Sequence, residues 1–153
     1  MSKKRRLAAL CILSLALPLM LVTWAVAAPN LVGTWSGTAP AITVTGCSTE
    51  AISVSISRQC MNLISGTVPI AGYSIPLVGK YDPDIGAVYL SGTLQNTTTP
   101  PYYMFSVSLS GVYVAGTTPS ISVTSCMVND YMGTVQDYLN KEYDTFSLIK
   151  QTQ

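Results

Sequence analysis

Stretches in which apolar and small polar residues alternate recur along this chain and constrain its fold more than any other feature. Examples are residues 52–57 (Ile-Ser-Val-Ser-Ile-Ser), 105–110 (Phe-Ser-Val-Ser-Leu-Ser) and 120–124 (Ser-Ile-Ser-Val-Thr). A β-strand places successive side chains on opposite faces, so the pattern predicts strands with one buried face and one face of small hydroxyl groups. We therefore expect an all-β protein.

Turn-forming residues separate the alternating stretches at short intervals, most clearly in residues 82–86 (Asp-Pro-Asp-Ile-Gly) and 115–119 (Ala-Gly-Thr-Thr-Pro). The number and spacing of the intervening segments indicate about eight strands in an antiparallel up-and-down β-barrel, with a sandwich as the alternative. The predicted strands lie near residues 31–38, 50–58, 61–69, 74–81, 87–95, 102–115, 120–127 and 143–151.

Glycine recurs inside these predicted strands. Glycine weakens a strand and commonly marks a bulge or a sharp bend, which helps a sheet to curl toward closure. The pattern therefore favours a barrel, unless the glycines mark hairpin ends and the strands are shorter than drawn. The recurring positions are Gly33, Gly66, Gly79, Gly92 and Gly111.

One segment, residues 130–142, departs from the two-residue period. Its apolar side chains have helical spacing, and Asn129 or Asp130 provides an N-cap. We expect one short helical turn there, before the last strand. The residues with this spacing are Tyr131, Val135, Tyr138 and Leu139.

The first 27 residues have the composition of a secretory signal peptide. A basic cluster at residues 3–6 precedes an apolar run, and Ala25 and Ala27 are the small residues that signal peptidase requires. Cleavage after Ala27 leaves residues 28–153 as a single β-barrel domain in the periplasm or outside the cell. If cleavage does not occur, residues 7–26 are nearly long enough to anchor the chain in a membrane.

Charge argues against a nucleic-acid partner. Residues 28–153 retain four basic and seven acidic side chains, a net charge of −3. A weakly acidic chain with so few cations lacks the positive surface that binds phosphate backbones.

Three cysteines remain after the signal segment: Cys47, Cys60 and Cys126. In an oxidising compartment we expect a structural disulfide and one spare thiol, with Cys47–Cys60 and Cys60–Cys126 both open as pairings. A metal site is not expected, because the chain contains no histidine and its cysteines are scattered. No cofactor is expected.

Residues 33–35 (Gly-Thr-Trp) resemble the Gly-x-Trp signature of the lipocalin and avidin (calycin) barrels. Residues 144–150 (Asp-Thr-Phe-Ser-Leu-Ile-Lys) resemble the last strand of streptavidin-like proteins, and residues 77–82 (Leu-Val-Gly-Lys-Tyr-Asp) resemble a middle strand. The resemblance implies a small barrel in which Trp35 has the structural role of closing one end.

Most biotin-binding positions of that family are absent. No asparagine follows Trp35 within residues 36–40, and Gln136 stands where the family has a tryptophan lent to a neighbouring subunit. Only Asp144 matches a ligand position. The resemblance therefore implies the barrel but not biotin binding.

Tyrosine is the enriched aromatic residue, and an amphipathic ring can stack on a ligand while its hydroxyl group donates a hydrogen bond. Tyr89, Tyr103 and Tyr113 fall on predicted strands. We take these three, with Asp144, as candidate ligand-binding residues, the alternative being ordinary barrel packing. Tyr102 and Tyr103, after two prolines, alternatively form an exposed aromatic tip for a protein partner.

Catalysis is not expected. Without histidine there is no Ser-His-Asp or Cys-His arrangement, and the paired carboxylates Asp82 and Asp84 have the sequence of a tight turn. The sequence therefore favours a non-catalytic exported barrel that binds a small apolar or sugar-like ligand. The alternative is an extracytoplasmic interaction module, such as an envelope subunit or a hydrolase inhibitor.

Overall fold

The computed structural model describes residues 28–43, 46–99, 102–132 and 138–152. Each strand is antiparallel to its neighbours. The described strands are β1 (Gly33–Thr43), β2 (Gly46–Cys60), β3 (Leu63–Ile70), β4 (Tyr73–Asp82), β5 (Ala87–Asn96), β6 (Tyr103–Val114), β7 (Ser120–Met132), β8 (Tyr138–Tyr143) and β9 (Phe146–Lys150).

Strand β1 closes the sheet into a barrel. One edge of β1 pairs with β2 from Gly33 to Thr43, and the other edge pairs with β8 and β9. Both β8 and β9 also pair with β7, so they are two parts of one strand, interrupted at Asp144 and Thr145. The result is a closed eight-stranded antiparallel barrel with neighbours in chain order, which confirms the predicted fold class.

β-Bulges in β2 and β7 curl the sheet, and each lies opposite a glycine that the sequence marks. The extra residues are Ser57 on β2, opposite Gly66, and Thr124 on β7, opposite Gly111. Each hydroxyl group donates a hydrogen bond to a backbone carbonyl of the facing strand, Ser57 to Ser65 at 3.4 Å and Thr124 to Ser110 at 3.3 Å. A bulge shifts the inward phase of its strand by one residue.

The bulge at Thr124 explains which side chains of β7 face the core. Ile121 and Val123 are buried before it, and Cys126 and Val128 are buried after it. Without the extra residue, Cys126 would point outward with the serines. Among the described residues, no polar or charged residue is buried, so the interior is apolar and aromatic.

The predicted helical turn is wrong for the described residues of its segment. Strand β7 continues to Met132 and β8 begins at Tyr138, with Asp130 paired to Leu139 and Tyr131 to Tyr138. Extended pairing with two neighbours has overridden a local helical spacing. Val135, and the rest of residues 133–137, lie outside the described residues.

The expected disulfide is not formed among Cys47, Cys60 and Cys126. Cys47 and Cys60 lie near opposite ends of β2, roughly 40 Å apart by the rise of an extended strand. Both are exposed, whereas Cys126 faces the interior. A disulfide requires Cα atoms within about 7 Å, so the continuous β2 strand keeps Cys47 and Cys60 apart.

Gly79 provides a test of the tight coiling of the sheet. A Cβ atom at this position would overlap the backbone carbonyl of Tyr89 on β5. We predict that Gly79→Ala lowers the free energy of unfolding by about 2–4 kcal/mol in urea denaturation, because backbone must move. Gly116→Ala, where the nearest atoms lie 4.0 Å away, serves as the control and should change it by less than about 0.5 kcal/mol. If the two substitutions change the free energy of unfolding equally, the close packing of Gly79 against Tyr89 is contradicted.

Candidate ligand-binding cavity

One end of the barrel is filled around Trp35, and we call it the Trp35 end. The indole is fully buried, and its Nε1 donates a hydrogen bond to the carbonyl of Leu31 at 2.8 Å. Lys150 Nζ lies 5.5 Å from the centroid of the indole and donates to the carbonyl of Asn30 at 2.7 Å. Tyr113 contacts the indole edge-on, with the ring centroids 6.3 Å apart.

The segment before β1 seals this end. The side-chain amide of Gln59 accepts a hydrogen bond from the backbone of Leu31 at 2.8 Å and donates one to the carbonyl of Pro29 at 3.0 Å. Because Leu31 is also fully buried, the segment covers the barrel rather than leaving it open.

The other half of the barrel contains a cavity of about 290 Å³. Its wall is mostly apolar, from strands β2, β3, β4, β6, β7 and β8. The apolar lining includes Val54, Val68, Leu77, Val107, Leu109 and Val128. Their side chains face inward because each occupies the buried phase of its strand.

A gap between β2 and β3 adjoins this cavity. The two strands pair from Ser55 and Thr67 to Cys60 and Leu63. Beyond that point the described pairings join residues 46–54 only to β1 and residues 68–70 only to β4. Pro69 lies on this edge and has no N–H group with which to extend the ladder. Residues of β2 and of β3 on the two sides of the gap line the cavity, so the cavity extends to the gap between these strands.

A polar cluster lies at the cavity wall, centred on Glu50. Lys141 Nζ donates to both carboxylate oxygens of Glu50, at 2.8 and 3.0 Å. The hydroxyl group of Tyr143 donates to Oε2 at 3.0 Å, and that of Ser48 to Oε1 at 3.2 Å. We call Glu50, Lys141 and Tyr143 the Glu50 cluster; all three line the cavity.

Hydrogen bonds and burial set the protonation states of Glu50, Tyr143 and Cys126 in the cavity wall near neutral pH. The hydrogen bond from Lys141 lowers the pKa of Glu50, more than burial raises it. Burial, reinforced by the Glu50 carboxylate, raises the pKa of Tyr143, and burial raises that of the Cys126 thiol to about 11. Glu50 is therefore a carboxylate, whereas Tyr143 and Cys126 keep their protons.

The described lining of the cavity does not include the predicted tyrosines on β5 and β6. Tyr89 is 41% exposed on the outer face, with Lys80 Nζ 5.5 Å from its ring centroid. Tyr103 packs on Tyr73, with ring centroids 4.5 Å apart. Tyr113 lies at the Trp35 end, at the other end of β6 from Tyr103. Their role in ligand binding stays a prediction.

Asp144 lies in the interruption between β8 and β9. It is exposed, and its Oδ1 accepts hydrogen bonds from the backbone and the hydroxyl group of Thr145, at 2.7 and 3.4 Å. These contacts stabilise a local turn. Of the residues selected from the sequence, the cavity lining includes only Cys126, which was predicted as structural.

Sequence reasoning missed the Glu50 cluster. Glu50 lies on the same face of β2 as Ile52, Val54 and Ile56. A charged residue on the predicted inward face of a strand was therefore the signal that could have identified Glu50. Lys141 carried no such signal, because its segment has helical spacing and its strand position was not apparent.

The fold and the cavity define a closed eight-stranded antiparallel barrel with a mainly apolar interior, an architecture compatible with the calycin barrels. Comparisons with protein family models, with curated proteins and with solved structures found no match to this chain. In the described part of the chain, no helix is long and apolar enough to cross a membrane. No group of three or more acidic, cysteine or histidine side chains suited to a metal ion occurs within the same ranges.

The lowered pKa of Glu50 makes a pH-dependent contribution to stability. The carboxylate is favoured in the folded state, so the contribution is present above the ordinary pKa of 4.5 and is lost as pH falls through the lower folded value. We predict that Glu50→Gln costs about 0.5–1 kcal/mol at neutral pH, since the pair is partly exposed, and less than that near pH ~3. Urea denaturation at both pH values measures this.

Glu142→Gln is the matched control, because it removes an exposed carboxylate from the same barrel. Its effect should be small at both pH values. A cost for Glu50→Gln that does not change with pH would contradict the electrostatic account.

Proposed function

We propose that this protein binds a small, mostly apolar molecule inside the barrel, without catalysing a reaction on it. The observation that supports this most strongly is the cavity of about 290 Å³, lined mainly by aliphatic side chains and bordered by the ion pair of Lys141 and Glu50. Ligand sites are typically concave and apolar, with a few polar groups that orient the ligand.

The size and lining of the cavity narrow the ligand class. Typical ligand cavities measure about 300–1,000 Å³, so this one suits a compact molecule. A sugar presents hydroxyl groups in every direction, and the aliphatic walls leave those groups without hydrogen-bond partners. An apolar ligand is therefore favoured over a sugar-like one.

The protonation states at the cavity wall support binding rather than catalysis. A general base or a nucleophile near neutral pH needs a pKa close to that pH or an activating neighbour. Tyr143 and Cys126 instead have raised pKa values, and Glu50 is engaged by Lys141. Asp82 ends β4 and Asp84 lies in the turn that follows, where the Asp84 N–H donates to Asp82 Oδ1 at 3.1 Å.

We also propose that the chain is exported and is a distant relative of the avidin and lipocalin barrels. The Gly-Thr-Trp motif at the start of β1, and Trp35 filling one end of a closed barrel, support the relationship. The composition of residues 1–27 supports export. Biotin is not the proposed ligand, because most positions that bind it in that family are absent.

Interaction with an extracytoplasmic protein is the second candidate function. The specific observation is an outer groove that includes Leu63 and Val78, exposed by 67% and 65%, together with Tyr89. Apolar side chains exposed next to one another commonly mark interaction surfaces. Tyr102 is also exposed, whereas Tyr103 packs inward, so the two do not form a single tip.

A fluorescence titration with the uncharged probe N-phenyl-1-naphthylamine tests binding inside the barrel. Val107 lines the cavity, so Val107→Phe should fill part of it and weaken probe binding by about tenfold or more, equivalent to about 1.4 kcal/mol. Val112→Phe, on the outer face of the same strand, is the matched control and should bind like the wild type.

Urea denaturation of both variants separates loss of the cavity from loss of the fold, since overpacking itself costs about 1–3 kcal/mol. If the wild type does not bind the probe, or if the two folded variants bind it equally well, the proposed site is wrong.

A further inference from the structure

We propose that the ligand carries one uncharged group that both donates and accepts hydrogen bonds, such as a primary amide or an alcohol, and that this group is held by Lys141 and Tyr143. The same site should discriminate against a carboxylate on the same carbon skeleton. This inference rests on the proposed function, because it concerns the polar wall of the same cavity.

The charges at the cavity wall already balance. Lys141 Nζ lies 2.8 Å from a carboxylate oxygen of Glu50, and these are the only charged side chains among the described residues that line the cavity. An anionic ligand would therefore add a second carboxylate beside Glu50, with no further cation to pair with it. Burying an unpaired charge is costly.

The hydrogen-bonding capacity of Glu50 is already used. Its two oxygens accept four hydrogen bonds, two from Lys141, one from Tyr143 and one from Ser48. A carboxylate offers about four acceptor positions, so the described contacts satisfy them. Glu50 therefore orients its neighbours rather than receiving the ligand.

Among the described residues, Lys141 has a free hydrogen-bond donor and Tyr143 a free hydrogen-bond acceptor, and both side chains contact Glu50. An ammonium group has three N–H donors, of which the contacts to Glu50 use two. Tyr143 gives its hydroxyl hydrogen to Glu50, which leaves its oxygen as an acceptor toward a ligand. The pair thus offers one donor and one acceptor within reach of a single group.

A primary amide or an alcohol matches this pair, because it accepts from Lys141 and donates to Tyr143. A carboxylate only accepts, so it would place its oxygens against the Tyr143 lone pairs. A ligand whose donors and acceptors do not match those of a binding site leaves polar groups unpaired, and similar ligands then differ greatly in affinity.

Displacement of N-phenyl-1-naphthylamine by heptanamide and by heptanoate, at neutral pH, tests the inference on the full chain. We expect heptanamide to bind at least about tenfold more tightly than heptanoate to the wild type. In Glu50→Gln the positive charge of Lys141 is no longer balanced, so the preference should narrow or reverse. Glu142→Gln, which removes a carboxylate outside the cavity, should keep the wild-type preference.

Each outcome decides the proposal. Equal or tighter binding of heptanoate by the wild type would overturn it while leaving the proposed function intact. An unchanged preference in folded Glu50→Gln would likewise overturn it. If the probe itself does not bind the wild type, the proposed function and this inference fall together.

Discussion

The pairing of β1 on both of its edges is the constraint on which the rest of the structure depends. Strand β1 pairs with β2 on one side and with β8 and β9 on the other, so β1 is not an edge strand. The sheet therefore closes on itself, and the inward side chains of all strands face one another. Eight strands enclose a space just wide enough to be filled by side chains or to hold one small ligand. In this barrel, side chains fill the Trp35 end, and the other half contains a cavity of about 290 Å³.

The contrast between the two halves follows from where large side chains and strand pairing occur. At the Trp35 end, the indole, Tyr113 and the segment before β1 occupy the interior and cover it. In the other half, the rings of Tyr73, Tyr103 and Phe105 pack against one another, but β2 separates from β3 beside Pro69. A cavity therefore remains where Glu50, Lys141 and Tyr143 supply its polar wall.

Much of the fold could be predicted from the sequence, whereas the candidate site could not. Alternation fixed the strands, and glycines such as Gly66 and Gly111 lie opposite the bulges that curl the sheet. Short-range patterns failed in the described part of this segment, residues 130–132 and 138–142, where pairing between β7 and β8 overrides helical spacing. Tyrosine enrichment suggested Tyr89 as a ligand-binding residue, but Tyr89 lies on the outer face. Alternation in the sequence shows that neighbouring side chains face opposite sides of the sheet, but it does not show which side a tyrosine faces. Glu50 and Lys141 lie 91 residues apart, and only closure brings them together.

The central claim is that a small apolar ligand binds inside the Glu50 half of the barrel. Isotope-filtered nuclear Overhauser measurements between a methyl-labelled protein and heptanamide test this claim most directly, because they locate the ligand by proximity. The account predicts contacts from the ligand chain to the methyl groups of Val107 and Val128, with the amide near Tyr143. Contacts confined to outer-face methyl groups such as those of Val78 and Val112 would contradict it.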